Sequence, residues 1–267
     1  MSLLSLNILS KSRHLYNSAK RIARGDDKWE VEIKSGDEFE DLNNSFKQLV
    51  GGLKERNILK NYVSEDAFSD IEENETNNLL PGGEYLEATI IFAAIKDYAK
   101  LASTMTPQES IELLSKYLSV AEEVTKKYNG SLDKIIGDTV MLVFREKENL
   151  DSHGLRAAKA ALELVEKSKR IESLAGLYTG IASGCVISGK IGSYTGKLDF
   201  TVIGNPVNLA ARFKAESKNG TDSTGVIISG TTIGLMSGKA NVKFLRRVSI
   251  KGKSRKYNIY ELLGIRE

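Results

Sequence analysis

Two stretches of this 267-residue chain combine residue types able to hold a phosphorylated ligand. The first, Lys134-Ile135-Ile136-Gly137-Asp138, sets a Gly-Asp turn between two apolar runs, so a carboxylate stands at a strand end. A carboxylate there can meet a divalent cation and, beside it, a phosphate. The second runs Phe200-Thr201-Val202-Ile203-Gly204-Asn205-Pro206-Val207-Asn208-Leu209-Ala210-Ala211-Arg212. Its Asn208 and Arg212 are spaced i, i+4 and share one helix face, where an amide and a guanidinium together suit a sugar and a phosphate. Each feature also has a plainer account. Gly-Asp is ordinary hairpin-turn chemistry, a helix-surface arginine is ordinarily a weak ion-pair partner, and Lys134 and Thr201 read equally as a strand-end cation and a β-branched strand filler.

The elements around these residues are those of ordinary soluble globular protein, with room for one α/β domain and a smaller module. A formal charge of +3, with no basic cluster interleaved with aromatics, argues against a nucleic-acid partner. Cys185 has no partner for a disulfide, which fits a reducing compartment, and its apolar neighbours predict a small buried strand residue. No apolar run approaches the roughly 18 residues that span a bilayer, and no signal peptide is evident. Lys11, Arg13, Lys20, Arg21, Arg24 and Lys28 outnumber Asp26 and Asp27 near the amino terminus. That bias suits a solvated helix face, and also a segment just inside a membrane.

Ile8, Ser12, Leu15, Ala19 and Ile22 alternate steps of four and three, the seam of a short coiled-coil helix that Gly25 ends. After a connector with Trp29, Val31 and Ile33, a second seam runs through Phe39, Leu42, Phe46, Leu49 and Leu53. Two such helices cannot bury their stripes alone, and a parallel dimer gives four helices one core. Residues 57–84, acidic and ending in Pro81-Gly82-Gly83, read as a linker between a 1–56 helical module and an 85–267 domain.

In that domain a strand at 89–92 precedes a helix at 107–128, a hairpin at 132–136 and 139–144, and a helix at 153–171. Strands near 177–183, 185–189 and 200–203 follow, then a helix from Pro206, a strand at 226–229 and a closing pair near 243–249 and 257–263. The order β-α-β-β-α-β predicts an α+β, ferredoxin-like plan with the helices on one sheet face.

The pattern over residues 8–56, helix, Gly25, connector, Asp37-Glu38 and helix, resembles the HAMP linker, a relay that follows membrane spans in bacterial receptors. It departs in lacking an opening proline and in having Glu40 where that family often has glycine. The resemblance implies an upstream span and a place on the cytoplasmic face of the cell membrane.

From Glu87 to Leu262, five ordered blocks resemble the catalytic domain of class III adenylyl and guanylyl cyclases: Thr89-Ile90-Ile91-Phe92, Lys134 to Asp138, Ile191-Gly192-Ser193, residues 199–212, and Ile250-Lys251-Gly252-Lys253. The resemblance implies a cyclase palm domain that converts ATP to cyclic AMP and pyrophosphate in signal transduction. Two divalent ions, Mg2+ or Mn2+, are implied, one activating the ribose 3′-hydroxyl and the other holding the triphosphate. Asp138 matches the second metal ligand, Asn208 and Arg212 the pair that orients ribose and stabilises the transition state, and Lys251 a phosphate-binding lysine. Lys134 and Thr201 match the base-reading positions. A lysine donates to an adenine ring nitrogen and a threonine hydroxyl accepts from the exocyclic amine, so ATP is the expected substrate over GTP.

In this family the sites form between two subunits, so a homodimer with two composite sites is implied. The departure is Ala94, where the family strand carries its first metal aspartate; Asp97 nearby is poorly placed to substitute. Impaired turnover is expected, with a nucleotide-binding or merely dimerising pseudo-cyclase and a guanylate cyclase as the alternatives. The diguanylate cyclase signature and the P-loop motif are both absent.

Overall fold

The computed structural model describes residues 3–24, 31–60, 81–193, 198–221, 223–249 and 256–266. The chain divides into two compact units, Met1–Val63 and Ser64–Glu267.

The first unit holds helices α1 (Leu3–Ile22) and α2 (Glu38–Lys60). Side-chain caps fix where α2 starts. Asp37 accepts from the Phe39 N–H at 3.1 Å, and Glu40 reaches back to accept from the Ser35 and Gly36 N–H groups at 2.9 and 2.7 Å. Glu40 thus has a capping task at the position where the sequence departs from the resembled pattern. Lys11 of α1 pairs with Asp37 at 3.0 Å. The inward stripe of α2 runs through Phe39, Asn43, Phe46 and Val50, while Leu42, Leu49 and Leu53 of the expected seam are exposed within the single chain. Gly25 and Trp29 lie outside the described residues. No described helix is long and apolar enough to cross a membrane.

The second unit is built on an eight-stranded sheet. Its strands are β1 (Gly82–Ile95), β2 (Ser131–Ile136), β3 (Thr139–Arg145), β4 (Leu177–Gly192), β5 (Leu198–Ile203), β6 (Val226–Ser229), β7 (Ala240–Ser249) and β8 (Lys256–Ile265). The order across the sheet is β2-β3-β1-β4-β6-β8-β7, with β5 paired to β4. Five helices join them: α3 (Tyr98–Ala102), α4 (Pro107–Lys127), α5 (His153–Ser168), α6 (Asn205–Ser217) and α7 (Gly230–Gly234). The β-α-β-β-α-β order holds from β1 to β4, but the helices are not confined to one face. Ile91, Ala93 and Ile95 of β1 pack with Leu113, Tyr117, Leu155 and Leu164 of α4 and α5. Ile90 and Phe92 pack with Leu209, Ala210 and Phe213 of α6. A strand apolar at successive positions is buried on both faces, and Thr89 to Ile95 is such a strand.

The two strands expected between 177 and 189 are one continuous strand, β4, paired along the whole of β1. On one face its carboxyl-terminal half is uncovered from the pair Glu87 and Cys185, both exposed, while Val186 on the other face stays buried with the α6 residues. Cys185 is therefore a surface thiol and not the buried residue its neighbours predict.

His153 begins α5 and is buried, its Nδ1 2.8 Å from Thr89 Oγ1. Thr89 continues to Ser183 at 2.6 Å, Ser183 to Thr232 at 2.8 Å, and Thr232 to Ser229 at 2.8 Å, so a chain of buried hydroxyls stitches β1, β4 and α7 together. Burial pushes the imidazole below its ordinary pKa of 6.5, opposed by Glu146 and Glu87 and reinforced by Arg156. A base with a depressed folded pKa takes up its proton more readily in the unfolded chain. The stability it contributes is full above the unfolded value and falls as pH drops through that value towards the folded one. The Tm of the full chain should decline from about pH 7.5 to about pH 5, and His153→Gln should shallow that decline. Equal slopes for parent and variant would remove His153 from the pH response.

Candidate active site

The β2–β3 hairpin closes with the two-residue loop Gly137-Asp138, its first position in the left-handed region that glycine tolerates (φ +62°). The Asp138 carbonyl accepts the Ile95 N–H at 3.3 Å, which presses the turn against the end of β1. Ala94 stands there, buried, opposite Thr139 on β3 and Tyr178 on β4. The Asp138 carboxylate is half-buried and accepts from the Thr139 hydroxyl at 3.3 Å. Tyr117 lies beneath, its phenol donating to the Ala93 carbonyl at 2.9 Å and held well above the usual tyrosine pKa by burial and by the Asp138 charge.

Helix α6 crosses β4 at very short range. A β-carbon at Gly180 would stand 2.2 Å from the Lys214 backbone nitrogen and 2.3 Å from the Ala210 carbonyl oxygen. Leu209, Ala210 and Phe213 face the sheet, and Asn208 and Arg212 share the exposed face one turn apart. Neither Asn208 nor Arg212 has a side-chain hydrogen bond within the chain among the described residues, so both are free to meet a ligand or a second subunit.

Lys214 is half-buried, and its ammonium donates to Thr139 Oγ1 at 3.2 Å. Burial lowers its pKa, the Asp138 charge opposes that shift and Lys218 adds to it.

The two residues expected to read a base are each bonded to an aspartate. Thr201, on β5, donates to Asp133 at 2.6 Å, and Lys134 pairs with Asp199. Asp133 sits where the β2–β3 register slips between Leu132 and Lys134, a bulge that re-aims its side chain towards β5. Burial pushes this carboxyl above the usual range, and the Thr201 hydroxyl, Lys134 and Arg145 draw it back. Asp97 occupies the left-handed region (φ 51°), and its carboxylate accepts from the Tyr178 hydroxyl at 3.3 Å. Lys251 lies outside the described residues.

Two bridging divalent ions do not fit these side chains as they stand. Among the described residues no cluster of three His, Cys, Asp or Glu groups suits a metal, position 94 offers a methyl group, and a lysine reaches into the space beside Asp138. Sequence reasoning missed Lys214, Asp133 and Asp199. Lys214 shared no motif with Asp138, although its spacing of two from Arg212 put it on a different side of the same helix.

The family model for the adenylate and guanylate cyclase catalytic domain matches residues 81–264. An uncharacterized protein of Mycobacterium tuberculosis is 27% identical over 198 residues, which cover 72% of this chain and 36% of that protein. The chain thus spans about a third of the length of such curated relatives. The crystal structure of the adenylyl cyclase CyaB from P. aeruginosa is similar with a TM-score of 0.61 at 24% identity, covering 69% of this chain and 97% of that one. The guanylyl cyclase Cya2 is similar with a TM-score of 0.58 at 26% identity, covering 70% and 96%.

The seating of α6 on Gly180 positions Asn208, Arg212 and Lys214 together. Gly180→Ala should cost about 1–3 kcal/mol through overpacking, read as a Tm lowered by about 2–4 °C for each kcal/mol. An unchanged Tm would mean that the helix does not rest on this residue.

Proposed function

The chain belongs to the adenylate and guanylate cyclase catalytic-domain family, and from that premise we propose that its domain is of the adenylate type, forming cyclic AMP and pyrophosphate from ATP, and that this chain is impaired by Ala94. In the reaction the ribose 3′-oxygen attacks the α-phosphorus, its proton is lost, and the bond from that phosphorus to the bridging oxygen breaks as pyrophosphate leaves. The family chemistry calls on Mg2+ or Mn2+ at this point. Here only Asp138 remains to hold such an ion.

The remaining parts are assigned to this chain's own side chains. Lys134 and Thr201 take the base, Asn208 the ribose, and Arg212 and Lys251 the phosphates. A guanidinium suits the charge that accumulates as the α-phosphate is attacked. The observation that carries the choice of ATP is the Thr201–Asp133 hydrogen bond of 2.6 Å. A hydroxyl that gives its proton to a carboxylate keeps only acceptor capacity for a ligand, which matches the exocyclic amine of adenine and mismatches the carbonyl of guanine.

The working unit in this reading is a homodimer, with Asp138 of one copy and Lys134, Thr201, Asn208 and Arg212 of the other at each site. The side chains of Asn208 and Arg212, which make no hydrogen bond among the described residues, support it. The exposed Leu42, Leu49 and Leu53 also leave α2 with an apolar stripe that a second copy would cover. The amino-terminal helices then act as a HAMP-type relay from a membrane span upstream, on the cytoplasmic face, and tilt the two halves of each site.

The test is turnover in Mn2+ with ATP and with GTP, for the parent and for Ala94→Asp. The variant should make cyclic AMP at least about tenfold faster than the parent, equivalent to about 1.4 kcal/mol of barrier, and should prefer ATP. Preferential cyclic GMP formation would reassign the substrate. No product from either nucleotide would favour the pseudo-cyclase reading, in which the domain only binds or dimerises.

A further inference from the structure

Position 94 offers a methyl group where the cyclase reading expects a carboxylate, and a positive charge stands beside it. The Lys214 ammonium donates to Thr139 Oγ1 at 3.2 Å, and that hydroxyl donates in turn to Asp138 Oδ1 at 3.3 Å. Thr139 is the cross-strand partner of Ala94. The ammonium therefore points between the one carboxylate that is present and the position where a second would stand.

Its placement is built into the fold. The Lys214 backbone nitrogen is the atom that a β-carbon at Gly180 would approach to 2.2 Å, so the stem of this side chain starts from a fixed point on the sheet. Lys218, one turn further along α6, lies over the Tyr178 ring at 5.3 Å, and Lys96 lies over the same ring at 5.6 Å. Tyr178 is the other cross-strand partner of Ala94. Three ammonium groups thus gather around a strand end whose nearby carboxylates are Asp138 and Asp97, and Asp97 already accepts from Tyr178. Adding two divalent ions to this arrangement would set like charges against each other at short range.

We propose that the Lys214 ammonium stands in for one of the two divalent cations at the Asp138 site, so that this chain holds a nucleoside triphosphate with a fixed lysine and at most one metal ion. The inference rests on the cyclase reading of that site. An ammonium attracts phosphate as a point charge but offers no open coordination position through which a ribose hydroxyl could lose its proton. The substitution therefore keeps the electrostatic part of substrate binding and gives up activation of the nucleophile, in keeping with the methyl group at position 94. It also means that returning a carboxylate to position 94 only partly rebuilds a metal site, because Lys214 would compete for that carboxylate.

The experiment measures manganese alone binding to the full chain, from the loss of the free Mn2+ electron paramagnetic resonance signal, with no nucleotide present. Ala94→Asp combined with Lys214→Met, which keeps the stem and removes the charge, should bind Mn2+ at least about tenfold tighter than Ala94→Asp alone. Adding Asp138→Asn should abolish the gain, and Ala94→Asp with Lys214→Arg should stay as weak as Ala94→Asp alone. Equal affinity with and without Lys214→Met would overturn the proposal. So would a gain that survives Asp138→Asn, or one that Lys214→Arg reproduces. Because the readout is metal occupancy, a tenfold gain accompanied by no cyclic nucleotide would uphold the role of Lys214 while overturning the cyclase reading.

Discussion

Helix α6 rests on β4 at a residue with no side chain, and most of what this domain can do depends on that contact. Gly180 lets the helix backbone come within the distance a single β-carbon would occupy. The helix then buries Leu209, Ala210 and Phe213 against one face of the sheet, turns Asn208 and Arg212 outward, and sends Lys214 sideways to the hairpin that carries Asp138. A helix held farther away by a larger residue would keep its amphipathic pattern and lose the reach of its lysine.

The charges around Asp138 follow a consistent logic. A site that assembles a triphosphate must supply positive charge, and proteins supply it from metal ions held by carboxylates or from fixed side chains. Here position 94 offers a methyl group and three lysines stand near that strand end, two of them over the Tyr178 ring. Electrical balance with a phosphate ligand can be met by either route. The two routes differ in chemistry, since only a metal ion acts as a Lewis acid towards a hydroxyl.

Much of the domain could be read from the order of its residues. The hairpin at Gly137-Asp138, the helix after Pro206 and the strand at Val226–Ser229 were legible because each combines a local turn or cap signal with a short-range apolar period. What covers a segment is not written in its local pattern. Cys185 has apolar neighbours and yet lies exposed, because its face of β4 is uncovered there while Val186 beside it is buried on the α6 face. Helix α6 was expected on the face of α4 and α5, and the unbroken apolar run of β1 was the available sign that both faces are covered. The stripe of α2 that turns inward is Asn43 and Val50 with their neighbours, although its leucines make the stronger pattern.

What the sequence determined by itself was the identity of the parts: a turn carboxylate, an amide and a guanidinium one helical turn apart, a lysine and a threonine at strand positions, and an alanine where an aspartate was expected. Those are properties of local spacing, and helix and strand periods convert spacing directly into shared faces. Tertiary structure alone decided which distant groups meet. The bond from Thr201 to Asp133 spans 68 residues and the one from Lys214 to Thr139 spans 75. Neither follows from any local period, because each arises where a bulge or a close helix–sheet approach carries one side chain across to another strand.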